Sequence, residues 1–158
     1  TVMQRIDAAC RQARRPPASV LLLAISKTFP TPSIQEAYFA GQRSFGENYV
    51  QEAVEKITEL AGLDIDWHFT GPLQSNKTRL VASHFNWVHG IDRYKIAQRL
   101  SEARDAHLPP LNVCIQVNLS GEATKGGADR NSVSDLAHAV AMLPQKTSSS
   151  LLSISPSA

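Results

Sequence analysis

Short apolar runs alternate with segments of helical spacing along the chain, and this alternation restricts its fold more than any other feature. After an amphipathic helix over residues 2–13, strands are predicted at 19–25, 43–45, 65–69, 86–89 and 111–117. Helices are predicted after them at 33–40, 49–61, 75–83, 93–107 and 132–143. Strand-then-helix units with short connections are typical of parallel α/β proteins, so the sequence predicts a parallel sheet with helices packed on it.

The residues at the strand ends indicate the kind of parallel sheet. The first run is continuously apolar, which is typical of a strand covered on both faces. The strand and helix pattern itself does not separate an open doubly wound sheet from a closed barrel, but no Gly-x-Gly-x-x-Gly turn comes after the first strand. Polar residues come after every predicted strand, as at the carboxyl-terminal face of a barrel. We therefore expect a parallel (β/α) barrel of the TIM type that is incomplete, with about five to six of the eight βα units.

A change of composition near residue 145 divides the chain into two parts. Residues 1–144 carry the strand and helix pattern and are predicted to form the partial barrel. Residues 145–158 are rich in serine and are expected to be an aberrant tail outside that pattern. The chain begins at Thr1, directly in a helical pattern, so we also expect residues to precede it.

Charge and cysteine content exclude several classes of function. The chain has 16 Lys and Arg against 14 Asp and Glu, a net charge of +2, which is too small an excess for a nucleic-acid-binding surface. Cys10 and Cys114 lie far apart without metal-ligand spacing, which suits a reducing compartment. No apolar run reaches the ~18 residues of a membrane span, and no signal-peptide pattern is present. A cytoplasmic location without a membrane partner is expected.

Lys27 is the first candidate for chemistry because it comes directly after the first predicted strand. Counting back by two residues gives Ile25, Leu23 and Leu21, so Lys27 projects into the mouth of a barrel if these three residues face its interior. An apolar mouth lowers the pKa of a lysine and makes its neutral amine a nucleophile toward aldehydes. The alternative is a lysine whose stem covers apolar surface while its ammonium stays in water.

His68, near the end of the third predicted strand, is the second candidate. A histidine there can bind a ligand or donate a proton, and a hydrogen-bonded structural histidine is the alternative. No His, Cys or carboxylate partner lies at ligand spacing, so no metal site is predicted. Neither a Gly-x-Ser-x-Gly elbow nor a Walker-type phosphate loop is present.

Four motifs carry a resemblance to a known family. They are 23–28 (LAISKT), 45–52 (FGENYVQE), 67–77 (WHFTGPLQSNK) and 117–125 (VNLSGEATK). In order and spacing they closely resemble the YggS/PROSC family of pyridoxal phosphate homeostasis proteins, and the resemblance runs over residues 2–144. That family is similar to the barrel domain of alanine racemase without the second domain of that enzyme.

The resemblance implies a cofactor and the residues that hold it. It implies a cytoplasmic protein that holds pyridoxal 5'-phosphate as a Schiff base on a lysine, takes part in vitamin B6 homeostasis and has no established enzymatic turnover. By position, Lys27 matches the Schiff-base lysine, while Asn48 and His68 match polar residues beside the cofactor ring. Apoenzymes that depend on pyridoxal phosphate are the partners that such a carrier implies.

The function has three possible interpretations. The first is a carrier of pyridoxal phosphate. The second is a Schiff-base enzyme of racemase-like or aldolase-like type, which needs a further acid or base across the substrate. The third is a nonfunctional truncated product, because residues after 145 do not resemble the family's phosphate-binding strands. The carrier is favoured because the sequence offers no clear second acid or base.

Overall fold

The sheet is built from short parallel strands, as the sequence predicts. The computed structural model describes residues 1–119, 126–144 and the backbone of 152–154. The strands are β1 (Ala24–Ile25), β2 (Ser44–Glu47), β3 (Asp66–Phe69), β4 (Trp87–Ile91), β5 (Asn112–Asn118), β6 (Ala128–Asp129) and β7 (Leu152–Ile154). Their order in the sheet is β1-β2-β3-β4-β5-β6, β7 pairs with β5, and every pair of neighbours among these strands runs parallel.

Helices connect the strands in the predicted α/β order. They are α1 (Val2–Gln12), α2 (Thr31–Phe39), α3 (Val50–Glu59), α4 (Thr78–His84), α5 (Tyr94–Ala103) and α6 (Val133–Ala141). Short 3-10 helices over Pro17–Ser19 and Ser75–Lys77 precede β1 and α4. The expected parallel α/β class is confirmed, and the arrangement is that of a partial (β/α) barrel. Among the described residues, no helix combines the length and the hydropathy needed to cross a bilayer.

The first strand is shorter and more exposed than predicted. Only Ala24–Ile25 pairs with β2, whereas a strand was expected over 19–25 with both faces covered. Leu21 is 65% exposed and Ile25 is 45% exposed. Within the described part of the chain β1 has β2 as its one neighbour, so its other edge and one of its faces meet solvent. The expectation of a strand covered on both faces is therefore wrong.

Part of the predicted tail belongs to the sheet. Ile115, Gln116 and Val117 of β5 pair with Leu152, Ser153 and Ile154 of β7 in parallel register. Because α6 lies between β5 and β7 in the chain, these elements form a further βα unit. β7 lies within the residues predicted to form the serine-rich tail, and the assignment of 145–158 as an aberrant tail stays a prediction. The other residues of 145–158 lie outside the described residues, and the boundary at 144 stays a prediction.

The apolar core lies between the sheet and the helices. Side chains from alternate strand positions pack against the apolar faces of α3, α4 and α5. Phe69 of β3 meets Phe85 after α4 edge to face, with 5.4 Å between ring centroids. Burial of each such side chain contributes about 1.5–3 kcal/mol. The core members with least exposure are Ile34, Phe45, Ala53, Phe69, Val81, Ala82, Phe85, Val88, Ile91, Ile96 and Leu100.

The strand register defines a second face of the sheet, opposite the helices. Gly46 of β2 is level with His68 of β3, and His68 is level with Trp87 of β4. Alternate residues of a strand point to opposite faces, so these three lie on the face away from Phe45 and Phe69. We call it the inner face. Ile25 is level with Gly46 and belongs to this face as well.

One asparagine joins the amino-terminal ends of three strands. The backbone N–H of Asn86 donates to the carbonyl of Trp67, and its Oδ1 accepts from the Trp67 N–H, both at 2.9 Å. The Asn86 carbonyl accepts from the backbone of Asn112 at 2.9 Å and from its side chain at 3.2 Å. Asn86 therefore fixes the starts of β3, β4 and β5 relative to one another.

Candidate functional site

Polar side chains gather where the strands end, as the sequence predicts. Lys27 lies just after β1 and is exposed, and within the described part of the chain its side chain forms no hydrogen bond or ion pair. Asn48 directly follows β2 and is half-buried. His68 lies in β3 and is 2% exposed. The structure thus brings the three sequence-predicted residues to adjacent strands, with Lys27 open to solvent rather than enclosed by an apolar mouth.

The register gives the relative height of these residues. Ile25, Gly46 and His68 are level across β1, β2 and β3. Asn48 lies two residues beyond Gly46, which is roughly 6 to 7 Å along the strand axis at the rise of an extended chain. His68 therefore lies below the rim on which Asn48 and Lys27 stand.

Asn48 is held by the loop that comes after β3. Its Oδ1 accepts a hydrogen bond from Thr70 Oγ1 at 2.7 Å. The next residue is Gly71, where an added Cβ would lie 2.2 Å from the Asn48 carbonyl oxygen. Only glycine allows the two loops to approach this closely. The Asn48 backbone is therefore fixed by steric fit as well as by a hydrogen bond.

His68 pairs with a second histidine. Its Nδ1 lies 2.9 Å from Nε2 of His89, and its ring stacks on Trp87 with 5.4 Å between centroids and 4° between planes. Burial and then the neighbouring His68 lower the pKa of His89 from 6.5 to about 4. His89 is therefore neutral at neutral pH. No local pattern indicated this pair, because the two histidines are 21 residues apart.

The remaining nitrogen of His68 has no hydrogen-bond partner. Nε2 is buried and, among the described residues, no acceptor lies within hydrogen-bond distance, although Asp66 Oδ2 lies 3.6 Å away. A carboxylate at this distance favours a proton on Nε2, which leaves Nδ1 to accept from His89 Nε2–H. In the described part of the chain, no group of three or more His, Cys, Asp or Glu side chains is placed to hold a metal ion.

A buried ion cluster lies behind Lys27, and sequence reasoning missed it. Lys56 of α3 is 6% exposed, and its Nζ lies 3.0 Å from Glu47 Oε1 and 2.6 Å from Glu52 Oε1. Glu47 ends β2 and is fully buried. We call Glu47, Glu52 and Lys56 the Lys56 cluster. The i,i+4 spacing of Glu52 and Lys56 was visible in the sequence, but that spacing usually marks an exposed helical pair.

The third hydrogen bond of the Lys56 ammonium is to the segment that carries Lys27. Nζ donates to the Ser26 carbonyl at 3.0 Å. Three acceptors thus match the three N–H groups of the ammonium. Glu47 Oε1 also accepts from Ser26 Oγ at 2.6 Å, whereas Glu47 Oε2 is buried without a hydrogen-bond partner among the described residues.

Similarity to known proteins agrees with this architecture. Residues 4–158 match the family described as alanine racemase, N-terminal domain. The chain is 57% identical over 153 residues to the pyridoxal phosphate homeostasis protein of Pseudomonas aeruginosa, covering 97% of this chain and 66% of that protein. It is 53% identical over 156 residues to the Escherichia coli protein of the same name, with 97% and 67% covered. The chain thus spans about two thirds of the length of these curated relatives.

Solved structures give the same result. PipY of Synechococcus elongatus without pyridoxal phosphate matches with a TM-score of 0.75 and 39% identity, over 92% of this chain and 67% of PipY. PipY with pyridoxal phosphate bound matches with a TM-score of 0.69 and 38% identity, over 92% and 66%. The chain therefore belongs to the alanine racemase N-terminal domain family and, within it, to the pyridoxal phosphate homeostasis proteins.

Proposed function

We propose that this chain binds pyridoxal 5'-phosphate on Lys27 in the cytoplasm and serves vitamin B6 homeostasis as a carrier. The observation that carries the proposal is the placement of Lys27: a primary amine on the turn after β1, exposed and without a partner among the described residues. Its relatives include PipY, which has been solved with pyridoxal phosphate bound. The amine of a lysine condenses with an aldehyde and releases one water, giving a Schiff base.

The residues around Lys27 fit an aromatic ligand that carries polar groups. His68 has a buried Nε2 without a hydrogen-bond partner among the described residues, on the inner face of the sheet. Asn48 uses its Oδ1 to accept from Thr70, which leaves its Nδ2 as a donor at the rim. When bound, pyridoxal phosphate supplies an aldehyde and an electron-withdrawing ring. Asn48 and His68 are the residues that we propose to hold its polar groups beside Lys27.

We propose that the chain carries the cofactor without catalysing a reaction. The curated relatives are called homeostasis proteins, and a racemase-like enzyme needs a second acid or base across the substrate. His68 and His89 form a titratable pair at the inner face, with Asp66 3.6 Å from His68, and each histidine uses a ring nitrogen to bond the other. If the cofactor-loaded chain changed the optical rotation of an L-amino acid solution, the carrier proposal would be contradicted.

Trapping the lysine tests the proposal directly. The full chain is incubated with pyridoxal phosphate, reduced with borohydride and digested, and the labelled peptide is identified by mass spectrometry. The label is expected on Lys27, and the Lys27→Ala variant is expected to lose it with an unchanged far-UV circular dichroism spectrum. Lys95→Ala, which alters an exposed lysine of α5, is the matched control and is expected to keep the label. A label mainly on Lys77, Lys95 or Lys125 would contradict the assignment.

Delivery to apoenzymes is the partner interaction that we propose. The cofactor-loaded chain is mixed with an apoenzyme that depends on pyridoxal phosphate, and recovery of that enzyme's activity is followed over time. Recovery faster than with the same concentration of free cofactor is expected from direct transfer. Recovery that never exceeds the rate set by spontaneous release from the chain would show that no direct transfer takes place.

A further inference from the structure

Ser26, the residue before Lys27, is fixed at three points. Its N–H donates to the Gly46 carbonyl at 2.8 Å, which continues the pairing of β1 with β2. Its hydroxyl donates to Glu47 and its carbonyl accepts from Lys56. Ser26 is 4% exposed. The backbone that enters Lys27 is therefore held by both a strand and the Lys56 cluster.

Thr28, the residue after Lys27, is held from the same cluster. Its N–H donates to Glu52 Oε1 at 3.0 Å. Its φ is 66°, in the left-handed region that a β-branched residue rarely adopts, and the Phe29 N–H closes a turn onto the Ser26 carbonyl at 3.0 Å. A positive φ at this position of a β-turn is what a type II turn requires, and glycine or asparagine usually supplies it. A threonine holds this conformation because its surroundings determine it.

We propose that the Lys56 cluster is a positioning device for the Lys27 amine, acting through the two backbone neighbours of that lysine. This inference rests on the proposed function, because it assigns a role in cofactor capture. The cluster bonds Ser26 from one side and Thr28 from the other, and it bonds no atom of the Lys27 side chain among the described residues. The cluster therefore sets the direction in which the Lys27 side chain leaves the turn. Glu52 is the positioning residue that bonds Thr28, where the backbone is strained.

Two substitutions of Glu52 separate positioning from simple stabilisation. Glu52→Ala removes the acceptor for the Thr28 N–H as well as the ion pair with Lys56. Glu52→Gln removes the charge but keeps an oxygen that accepts from Thr28. Glu55→Ala, on an exposed position of the same helix, is the matched control. None of these variants alters Glu47 or Lys56, and thermal unfolding monitored by circular dichroism is the check that each is folded at the assay temperature.

Cofactor capture and amide exchange are the two readouts. The probe is pyridoxal 5'-phosphate added to the full chain, and capture at Lys27 is followed by borohydride trapping over time. Glu52→Ala is expected to slow capture about ten- to hundredfold because the amine loses its orientation. Glu52→Gln and Glu55→Ala are expected to capture at close to the unaltered rate. Hydrogen exchange of the peptide that contains residues 26–29 is expected to accelerate in Glu52→Ala alone.

The outcomes distinguish this inference from the proposed function. If Glu52→Ala captures the cofactor at the unaltered rate while Lys27→Ala captures none, Lys27 keeps its role and the positioning role is overturned. If Glu52→Gln is as slow as Glu52→Ala although its Thr28 amide remains protected, charge rather than turn geometry matters, and the positioning role is again overturned. If Lys27→Ala captures the cofactor as fast as the unaltered chain, the proposed function itself fails.

Discussion

Nζ of Lys56 lies 3.0 Å from Oε1 of Glu47, and neither side chain is more than 8% exposed. Removing two charges from water is costly, and their attraction offsets that cost only when each is well bonded. The ammonium meets this condition through Glu47, Glu52 and Ser26. The pair is therefore sensitive to the loss of either partner.

Lys56→Met is expected to lower the free energy of unfolding by about 3–5 kcal/mol, because it leaves the Glu47 carboxylate buried without a counter-ion. Urea denaturation monitored by circular dichroism measures the change. The double variant Glu47→Gln/Lys56→Met is expected to recover a large part of the loss, since no buried charge remains. A single variant that is as stable as the double one would contradict this account of the pair.

His89 is expected to make stability depend on pH in the acidic range. Its folded-state pKa of about 4 lies below the ordinary value of 6.5, so the unfolded chain binds a proton at a higher pH than the folded one. The free energy of unfolding therefore falls as pH falls from 6.5 toward 4 and is level above 6.5 with respect to this group. Denaturation of the unaltered chain and of His89→Gln at about pH 5 and about pH 7.5 measures this slope.

His89→Gln is expected to reduce the difference in stability between the two pH values. His107→Gln, which alters an exposed histidine, is the control and is expected to leave the difference unchanged. Equal slopes in both variants would mean that other groups produce the dependence.

Protonation of Glu52 is expected to destabilise the fold at a lower pH than protonation of His89 does. Its hydrogen bond with Lys56, and then the Thr28 N–H, hold the pKa of this carboxyl below its ordinary value of 4.5, against a raising effect of burial. A lowered pKa in the folded state gives stability that is present above pH 4.5 and is lost as pH falls through the lowered value. The free energy of unfolding, measured by urea denaturation, is therefore expected to fall below pH 4.5 by more in the unaltered chain than in Glu52→Gln. If Glu52→Gln loses the same stability over this range, the titration belongs to another group.

Gly71→Ala tests the fit between the loops after β2 and β3. The new Cβ would lie 2.2 Å from a backbone oxygen of Asn48, so the loops must move apart. We expect a loss of about 1–3 kcal/mol in the free energy of unfolding, together with weaker cofactor capture. Gly62→Ala is the matched control, since no atom lies within 4 Å of its Cβ position. A Gly71 variant as stable as the Gly62 variant would show that the loops separate at no cost.

Arg104 is expected to resist replacement by lysine. Its guanidinium is buried and donates to three carbonyls: that of Pro109, that of Phe85 at 2.9 Å, and that of Ala82 near the end of α4. A lysine ammonium cannot reproduce this planar set of donors, so Arg104→Lys is expected to cost about 1.5–3 kcal/mol. Arg79→Lys, on the exposed side of α4, is the control. Equal melting temperatures for the two variants would contradict the argument.

The parallel α/β class could be predicted from the sequence because its signal is local. Each apolar run and each helical period can be recognised within a few residues, and the order of elements then restricts the sheet. The length of β1 was overestimated because the run 19–25 is almost wholly apolar. Apolar composition alone does not show which residues have a neighbouring strand to pair with, and only Ala24–Ile25 do.

The site was predicted only in part, for a related reason. Lys27, Asn48 and His68 were proposed from their positions at strand ends and from the resemblance, and the structure brings them to adjacent strands. The partner of His68 and the buried cluster behind Lys27 were not found, because His89 and Lys56 reach these places through the fold and not through spacing. In the sequence, Lys56 looks like an ordinary exposed residue of a helix. No local pattern shows that its side chain is buried against two carboxylates.

The residue that fixes the strands and the residues of the candidate site lie at opposite ends of the sheet. Asn86 ties the starts of β3, β4 and β5, whereas Lys27, Asn48 and Gly71 lie at the opposite ends of their strands. Loops at the carboxyl-terminal ends of parallel strands can change while the amino-terminal ends keep the strands in place. Substitutions at the rim can therefore change which ligand is bound while the hydrogen bonds that hold the strands together stay intact.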